Sequence, residues 1–260
     1  MIFAWQGFQI EHPDDWAPAL IAGQRAEGYA RIASPDALSY QIRWNQVKKS
    51  YDPKRSLDDY LAKIARDAKK IKTKFSSHVE QVDGDWQYSW SGAGNGKGSL
   101  VAIDERVFFL EASSITNRSV QGAFRDLRDS FRNLEASTEL WSVFGLSVRL
   151  RSMMAVEKQT FQSGRTRIEW RDKVGRVVAE RWGFGEQILA KHPFEEWAMN
   201  SMAMPKAKVI EVERGLELEL RKPLLRVYGL ATADVDRNQL ITLKSISRGD
   251  KGRAEWDWLI

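Results

Sequence analysis

Along the chain, apolar and polar residues mostly alternate one by one, and in a few stretches the period lengthens to that of a helix. Alternation marks residues 78–90 (HVEQVDGDWQYSW), which reverse at Asp83-Gly84, and residues 209–220 (VIEVERGLELEL), which reverse near Arg214-Gly215. In the second of these, Leu216, Leu218 and Leu220 point one way and Glu217 and Glu219 the other, as in a half-buried antiparallel strand. Further strands are predicted at 106–112 (RVFFLEA) and 239–246 (QLITLKSI). Helical spacing runs through 56–71, where Leu57, Tyr60, Leu61, Ile64, Ala68 and Ile71 form one stripe. Ser56 is placed to cap that helix, with Asp59 as an acidic capping-box partner. The same spacing recurs at 119–134 on Val120, Phe124, Leu127, Phe131 and Leu134. A third helix is predicted at 193–204, opened by Pro193, ended by Pro205, with Phe194, Trp197, Ala198 and Ser201 on its buried face.

These elements come in an order that repeats. WQGFQI (5–10) corresponds to WSVFGLSV (141–148), and RIASPDALSYQIRW (31–44) to RIEWRDKVGRVVAERW (167–182), each of the latter pair running from Arg-Ile through a polar turn to Arg-Trp. A helix, a hairpin and a closing strand follow in both halves. Strands with one apolar face need amphipathic helices to cover them. The expectation is therefore an α+β fold of two tandem lobes, 1–138 and 139–260, each a twisted antiparallel sheet covered by amphipathic helices. The second half ends in AEWDWLI, too short for a helix like 119–134. Part of its sheet should then be covered by the first lobe or by another copy of the chain, a homo-oligomer through the second lobe.

Gly7-Phe8-Gln9-Ile10 followed by Pro13 and Trp16 is similar to the start of PsbP-like domains, and RVFFLEASSITN leading into FRDLRDSFRNLE resembles their last strand and closing helix. The resemblance covers most of 5–135 and only weakly 141–260. It implies a twisted antiparallel sheet between helices, the fold of an extrinsic photosystem II subunit and of a Ran-binding release factor of the nucleus. It also implies a non-enzymatic role, binding or assembling a macromolecular partner, and brings no catalytic residues. The chain departs from the family by being double and by showing no lipoprotein or transit leader.

One stretch, SGAGNGKGSL (91–100), has the composition of a phosphate-binding loop but not its spacing. Gly92 precedes Gly96-Lys97 by one residue too few, Gly98 stands where a hydroxyl should follow the lysine, and strands flank it on both sides. It reads as a flexible hairpin tip, with glycines for positive φ. No other cofactor motif is present. The absence of cysteine excludes disulfides and thiolate metal sites and fits a reducing compartment. His12, His78 and His192 lie far apart, and none falls in a zinc-site spacing. The paired acids Asp14-Asp15 and Glu195-Glu196 read as helix-start or surface charges, and no nucleophile elbow occurs. No catalytic or metal-binding residue is therefore assigned.

The 260 residues carry 40 basic and 35 acidic side chains, a net charge of +5, with pI near 9.3. That excess is too mild for a dedicated nucleic-acid binder. No apolar run approaches the roughly 18 residues of a membrane span, and no secretory signal opens the chain, which points to the cytoplasm, or outside it if the chain is a processed form. Basic residues concentrate at 48–74, and on the helix Lys63, Arg66 and Lys70 lie opposite the apolar stripe. Eleven tryptophans are present. Trp5, Trp44, Trp86, Trp90, Trp170 and Trp182 fall in strand-like segments and are expected in the cores. Trp256 and Trp258, near the missing cover, are candidate partner anchors. The reading is a non-catalytic binding or assembly protein that contacts a protein partner, an acidic one, through Lys63, Arg66, Lys70, Trp256 and Trp258. The alternative is a small-molecule or carbohydrate-binding module with a Trp-lined groove between the lobes. A third, a cryptic hydrolase, has no supporting motif.

Overall fold

The computed structural model, described for residues 1–48, 50–134 and 137–248, is an α+β structure built largely of antiparallel strands. Trp256 and Trp258 lie outside the described residues. The chain divides into two compact units, Met1–Glu135 and Ala136–Ile260. No helix among the described residues is long and apolar enough to cross a membrane.

The first unit opens with the hairpin β1 (Ile2–Trp5) and β2 (Phe8–Glu11), followed by β3 (Ala17–Gly23), β4 (Glu27–Ala33) and β5 (Leu38–Gln46). Helix α1 (Pro53–Lys70) precedes β6 (Ser76–Val82), β7 (Asp85–Ser91), β8 (Asn95–Ile103) and β9 (Arg106–Ser114). Helix α2 (Gln121–Ser130) and the short β10 (Arg132–Asn133) end the unit. Seven strands form one sheet in the order β3-β4-β5-β9-β8-β7-β6. The sheet turns sharply at Asp83-Gly84, where both residues have positive φ (52° and 91°), the two-residue reversal that matches strand twist.

Both faces of this sheet are buried. On one, Trp44 and Phe108 meet Phe8 of β2 at ring distances of 5.2 and 5.7 Å, and Phe131 closes on Phe108 at 4.9 Å. Phe124 and Leu127 of α2 are buried in the same unit. The other face takes α1, whose Leu57 and Leu61 pack with Tyr88, Leu100, Val107 and Phe109. Helix α1 begins three residues before the predicted start. Asp52, not Ser56, is its cap: its carboxylate accepts from the Arg55 N–H at 3.1 Å, and Pro53 occupies the first turn. Helix α2 is shorter than the predicted 119–134. Its cap Phe131 is already extended, and Arg132 and Asn133 pair with β2 instead.

The second unit runs β11 (Thr138–Val143), β12 (Leu146–Arg151), β13 (Ala155–Gln162), β14 (Arg165–Arg171), β15 (Gly175–Gly183), α3 (Gly185–Leu189), α4 (Phe194–Ser201), β16 (Lys208–Val212), β17 (Gly215–Lys222), β18 (Leu225–Asp234) and β19 (Gln239–Ser247). Its seven-stranded sheet has the order β13-β14-β15-β19-β18-β17-β16, the same sequence of crossings as in the first unit. Helix α4 is less than half as long as α1 and ends at Ser201, not 204. With Met202 and Met204 it covers Leu216, Leu218, Val227, Ala231 and Leu240. Beyond its reach, β14 and β15 carry charge on that face rather than bare apolar surface. Arg165 meets the buried Glu180 at 2.8 Å, Arg167 meets the buried Glu169 at 2.8 Å and also Glu180, and Arg176 meets Glu169. Paired in this way, carboxylates can be buried without an uncompensated charge.

Gly28 of β4 lies opposite the fully buried Trp44 of β5. A Cβ at Gly28 would stand 2.1 Å from the Trp44 ring and 2.7 Å from the Ala22 carbonyl oxygen. Gly28→Ala is expected to cost about 2–3 kcal/mol through overpacking, read as a lowered urea midpoint; an unchanged midpoint would contradict this packing.

Candidate functional site

The α1 side of the first sheet is not purely apolar. Strand β9 reads Val107, Phe108, Phe109, Leu110, Glu111, Ala112, and its one acid is 2% exposed. Glu111 sits between β5 and β8, paired with Gln41 on one side and Gly98 on the other. One carboxylate oxygen, Oε2, accepts from the Tyr60 hydroxyl at 2.7 Å, the Trp90 indole N–H at 3.0 Å and the Tyr88 hydroxyl at 3.1 Å. The other, Oε1, accepts from the Gln41 amide at 3.3 Å. Tyr60 comes from α1, so the carboxylate ties the helix to the sheet. The Arg43 guanidinium stands 4.6 Å over the Tyr60 ring and 5.3 Å over that of Tyr29.

The glycines of 91–100 belong to this arrangement. The reversal is confined to 92–94, and Asn95–Ile103 is a strand, not a flexible tip. None of Gly92, Gly94, Gly96 or Gly98 has positive φ. What they supply is space. Gly98 faces Tyr88 and Gly96 faces Trp90 across the β7–β8 pair, and a Cβ at either would lie 2.4 Å from the opposing ring. Without side chains there, both aromatics lie across β8 and bring their donors to Glu111.

Burial pushes the Glu111 carboxyl above its ordinary 4.5, while the hydrogen bonds from Trp90, Tyr60 and Tyr88 and the charge of Arg43 offset part of the rise. The same burial, with Glu111 alongside, raises Tyr60 and Tyr88 so that both hydroxyls remain donors. From Glu111 the polar seam continues: Gln41 Nε2 also donates to Ser113 Oγ at 2.7 Å, Gln41 Oε1 accepts from the Tyr29 hydroxyl at 2.8 Å, and Ser113 and Ser39 hydroxyls are 3.1 Å apart. It ends at a cavity of about 370 Å³ between the sheet and the C-terminal half of α1. A second cavity, about 610 Å³, lies on the other side of Tyr60 and includes Arg43, Asp59 and Lys63.

Lys63, Arg66 and Lys70 are all exposed on α1. Lys70 pairs with Asp67 at 2.6 Å, whereas Lys63 and Arg66 have no ion-pair partner among the described residues. The histidines stay apart. His12 is buried with Nδ1 2.8 Å from the Pro13 carbonyl oxygen, and burial lowers its pKa. His78 lies 3.9 Å from Glu80, and His192 3.8 Å from Glu196. Asp14, Asp15, Glu195 and Glu196 are exposed. Among the described residues no group of three or more His, Asp or Glu side chains converges as a metal site would. Of the tryptophans predicted in cores, Trp5, Trp44 and Trp170 are fully buried, while Trp86, Trp90 and Trp182 are half-buried. Glu111 was not singled out from sequence; its signal is one acid inside an otherwise apolar strand, a position that burial makes costly unless donors surround it.

No family model matches the chain, and no curated protein does. Among solved structures, the chain is similar to the solution structure of cyanobacterial PsbP (CyanoP) from Synechocystis sp. PCC 6803, with a TM-score of 0.39 and 10% identity over 51% of this chain and 91% of that one. It is also matched to DynU16, a protein of the dynemicin biosynthetic locus, with a TM-score of 0.14 and 12% identity over 90% of this chain and 87% of that one. The likeness to PsbP is weak and spans about half of this chain.

Replacing Glu111 by Leu leaves the Tyr60, Tyr88 and Trp90 donors and one Gln41 N–H without their acceptor and is expected to cost about 3 kcal/mol or more, whereas Glu111→Gln, which retains an acceptor oxygen, costs less than half as much. The folded chain holds the Glu111 proton more tightly than the unfolded chain does. Wild-type stability should therefore fall as pH rises from 4.5 through the folded value, and Glu111→Gln should lack that component. Urea titrations across pH 4–8 measure both; equal costs for the two variants, or identical pH profiles, would contradict the network.

Proposed function

We propose that the chain is a non-catalytic binding protein that docks an acidic protein partner along the outward face of α1. The observation that carries this reading is the exposed cationic run Lys63, Arg66, Lys69 and Lys70, relieved only by Asp67. Lys63 and Arg66, without an ion-pair partner among the described residues and carried on a helix fixed to its sheet, offer a preorganised surface for carboxylates, and long-range attraction would speed the encounter. A role in binding rather than chemistry is favoured by Glu111, whose oxygens are both engaged by donors. In this reading the two units are diverged copies of one lobe, an antiparallel sheet covered by helices. The shared strand order supports it. The copies differ where function would be expected to differ: among the described residues, only the first has a long basic helix.

The triple variant Lys63→Glu, Arg66→Glu, Lys70→Glu tests the docking face. Affinity capture on immobilised wild-type chain at low salt should enrich a protein of low pI, and the enrichment should fade at moderate salt. In the variant it should drop by roughly tenfold or more, since each reversed cation exchanges attraction for repulsion. Retention of the same protein at the same level by the variant would overturn the proposal.

A further inference from the structure

The basic face of α1 points outward; beneath the same helix is a different feature. The cavity of about 370 Å³ is of a size that holds a small ligand. Its floor and its roof have different chemistry. The floor is the polar end of the sheet, formed by Arg31 of β4, Ser39 and Gln41 of β5 and Ser113 of β9. The roof is the last two turns of α1, Ile64 and Ala68, with Ile71 just beyond, and Phe75 and Trp90 close the side.

Two observations on the floor point to an anion. Arg31 has no carboxylate paired with it among the described residues, and its Nε is buried without a hydrogen-bond partner. The serine pair also has a donor to spare. Ser113 Oγ accepts from Gln41, and Ser39 and Ser113 share one hydrogen bond between two hydroxyls. Whichever of the two donates, one hydroxyl hydrogen is not used by that pair. A guanidinium and a hydroxyl donor on adjacent strands match a carboxylate, which Arg recognises as a planar fork. The cavity also includes Asp67, already held by Lys70 at 2.6 Å. One arginine and one carboxylate lining the same cavity suit a single negative charge better than a dianion.

The roof says what the rest of the ligand is. Along α1 the inward positions are Leu57, Leu61, Ile64 and Ala68, so the stripe narrows to a methyl where the cavity lies. A leucine at 68 would fill part of that space. Ile71 and Ile115, at the cavity's edge, are 61% and 70% exposed. An apolar chain leaving the floor would run beneath Ala68 and out between these two side chains, covering apolar surface that otherwise faces water.

We infer that this cavity is a binding site for a small monocarboxylic acid with an apolar body, its carboxylate on Arg31 and the Ser39–Ser113 pair and its chain under α1. The site does not depend on the protein-docking reading, because the groups that would hold the carboxylate are Arg31, Ser39 and Ser113 and not the cations of the outward face.

Titration calorimetry of the full chain with decanoate, and with decan-1-ol and decylamine as controls, tests the inference. Decanoate should bind with one site and about tenfold or more tighter than the alcohol, the worth of a charge-assisted hydrogen bond, and the amine should not bind. Arg31→Leu should remove the preference for decanoate while leaving alcohol binding, which itself reports that the cavity is intact. Ala68→Leu should abolish binding of both with the circular dichroism spectrum unchanged. Equal affinity for acid and alcohol, or undiminished decanoate binding in Ala68→Leu, would overturn the assignment, as would absence of decanoate binding to the wild-type chain.

Discussion

A carboxylate withdrawn from water must be met by hydrogen-bond donors, and in the first unit meeting that demand organises much else. Glu111 stands in the middle strand of seven with apolar neighbours along its own chain. Three of its donors come from two elements: Tyr60 from the helix, Tyr88 and Trp90 from β7. For the two on β7 to reach across β8, the residues between must be glycine, and they are. The helix is thereby held by the Tyr60 hydrogen bond as well as by Leu57 and Leu61, and its last turn, which presents only the Ala68 methyl inward, leaves the cavity above Arg31 and Ser113. Helix position, glycine pattern and cavity follow from one buried charge.

The second unit shows what the same strand order does with a different residue at that point. Lys244 occupies in β19 the place of Glu111 in β9, each opposite a glycine of the neighbouring strand, Gly229 and Gly98. The ammonium donates to the Met202 carbonyl oxygen at 2.5 Å, and burial holds its pKa below the usual lysine value, helped by Lys222, Arg167 and Arg176. The space over Gly229 is taken by the Met202 and Met204 side chains, not by tyrosine and tryptophan. A flexible apolar cover with a single hydrogen bond replaces a rigid aromatic cluster with four. The helix there is correspondingly short, and the neighbouring strands bury glutamates paired with partly exposed arginines in place of a longer apolar stripe.

Much of the strand and helix content was legible because period-two and helical patterns are local. The hairpins at 78–90 and 209–220, the strands at 106–112 and 239–246 and the stripe of α1 from Leu57 to Ala68 all lie where the patterns put them, while Ile71 falls just past the helix and is exposed. The errors have physical causes. β3 contains Pro18 and β8 begins Asn95-Gly96-Lys97-Gly98, residues with poor strand propensity that tertiary packing overrides. Helix α2 ends early because Phe131 turns into the aromatic cluster with Phe8 and Phe108. The composition of 91–100 points to backbone freedom for its glycines, whereas they serve close approach, which depends on what lies on the adjacent strand. For the same reason the polar seam could not be read from sequence. Tyr60, Tyr88, Trp90 and Glu111 meet only through strand register and helix packing, and each of the three aromatics taken alone looks like core.

If Glu111 fixes α1 to the sheet, its loss should loosen that helix before anything else. Amide hydrogen exchange of Glu111→Leu against wild type, followed by mass spectrometry at a pH and temperature where both are folded, gives the most direct test. Faster exchange in 53–70, with α2 and the β4–β5 pair still protected, is the result this structure predicts. Exchange raised evenly over the whole first unit, or unchanged in α1, would contradict it.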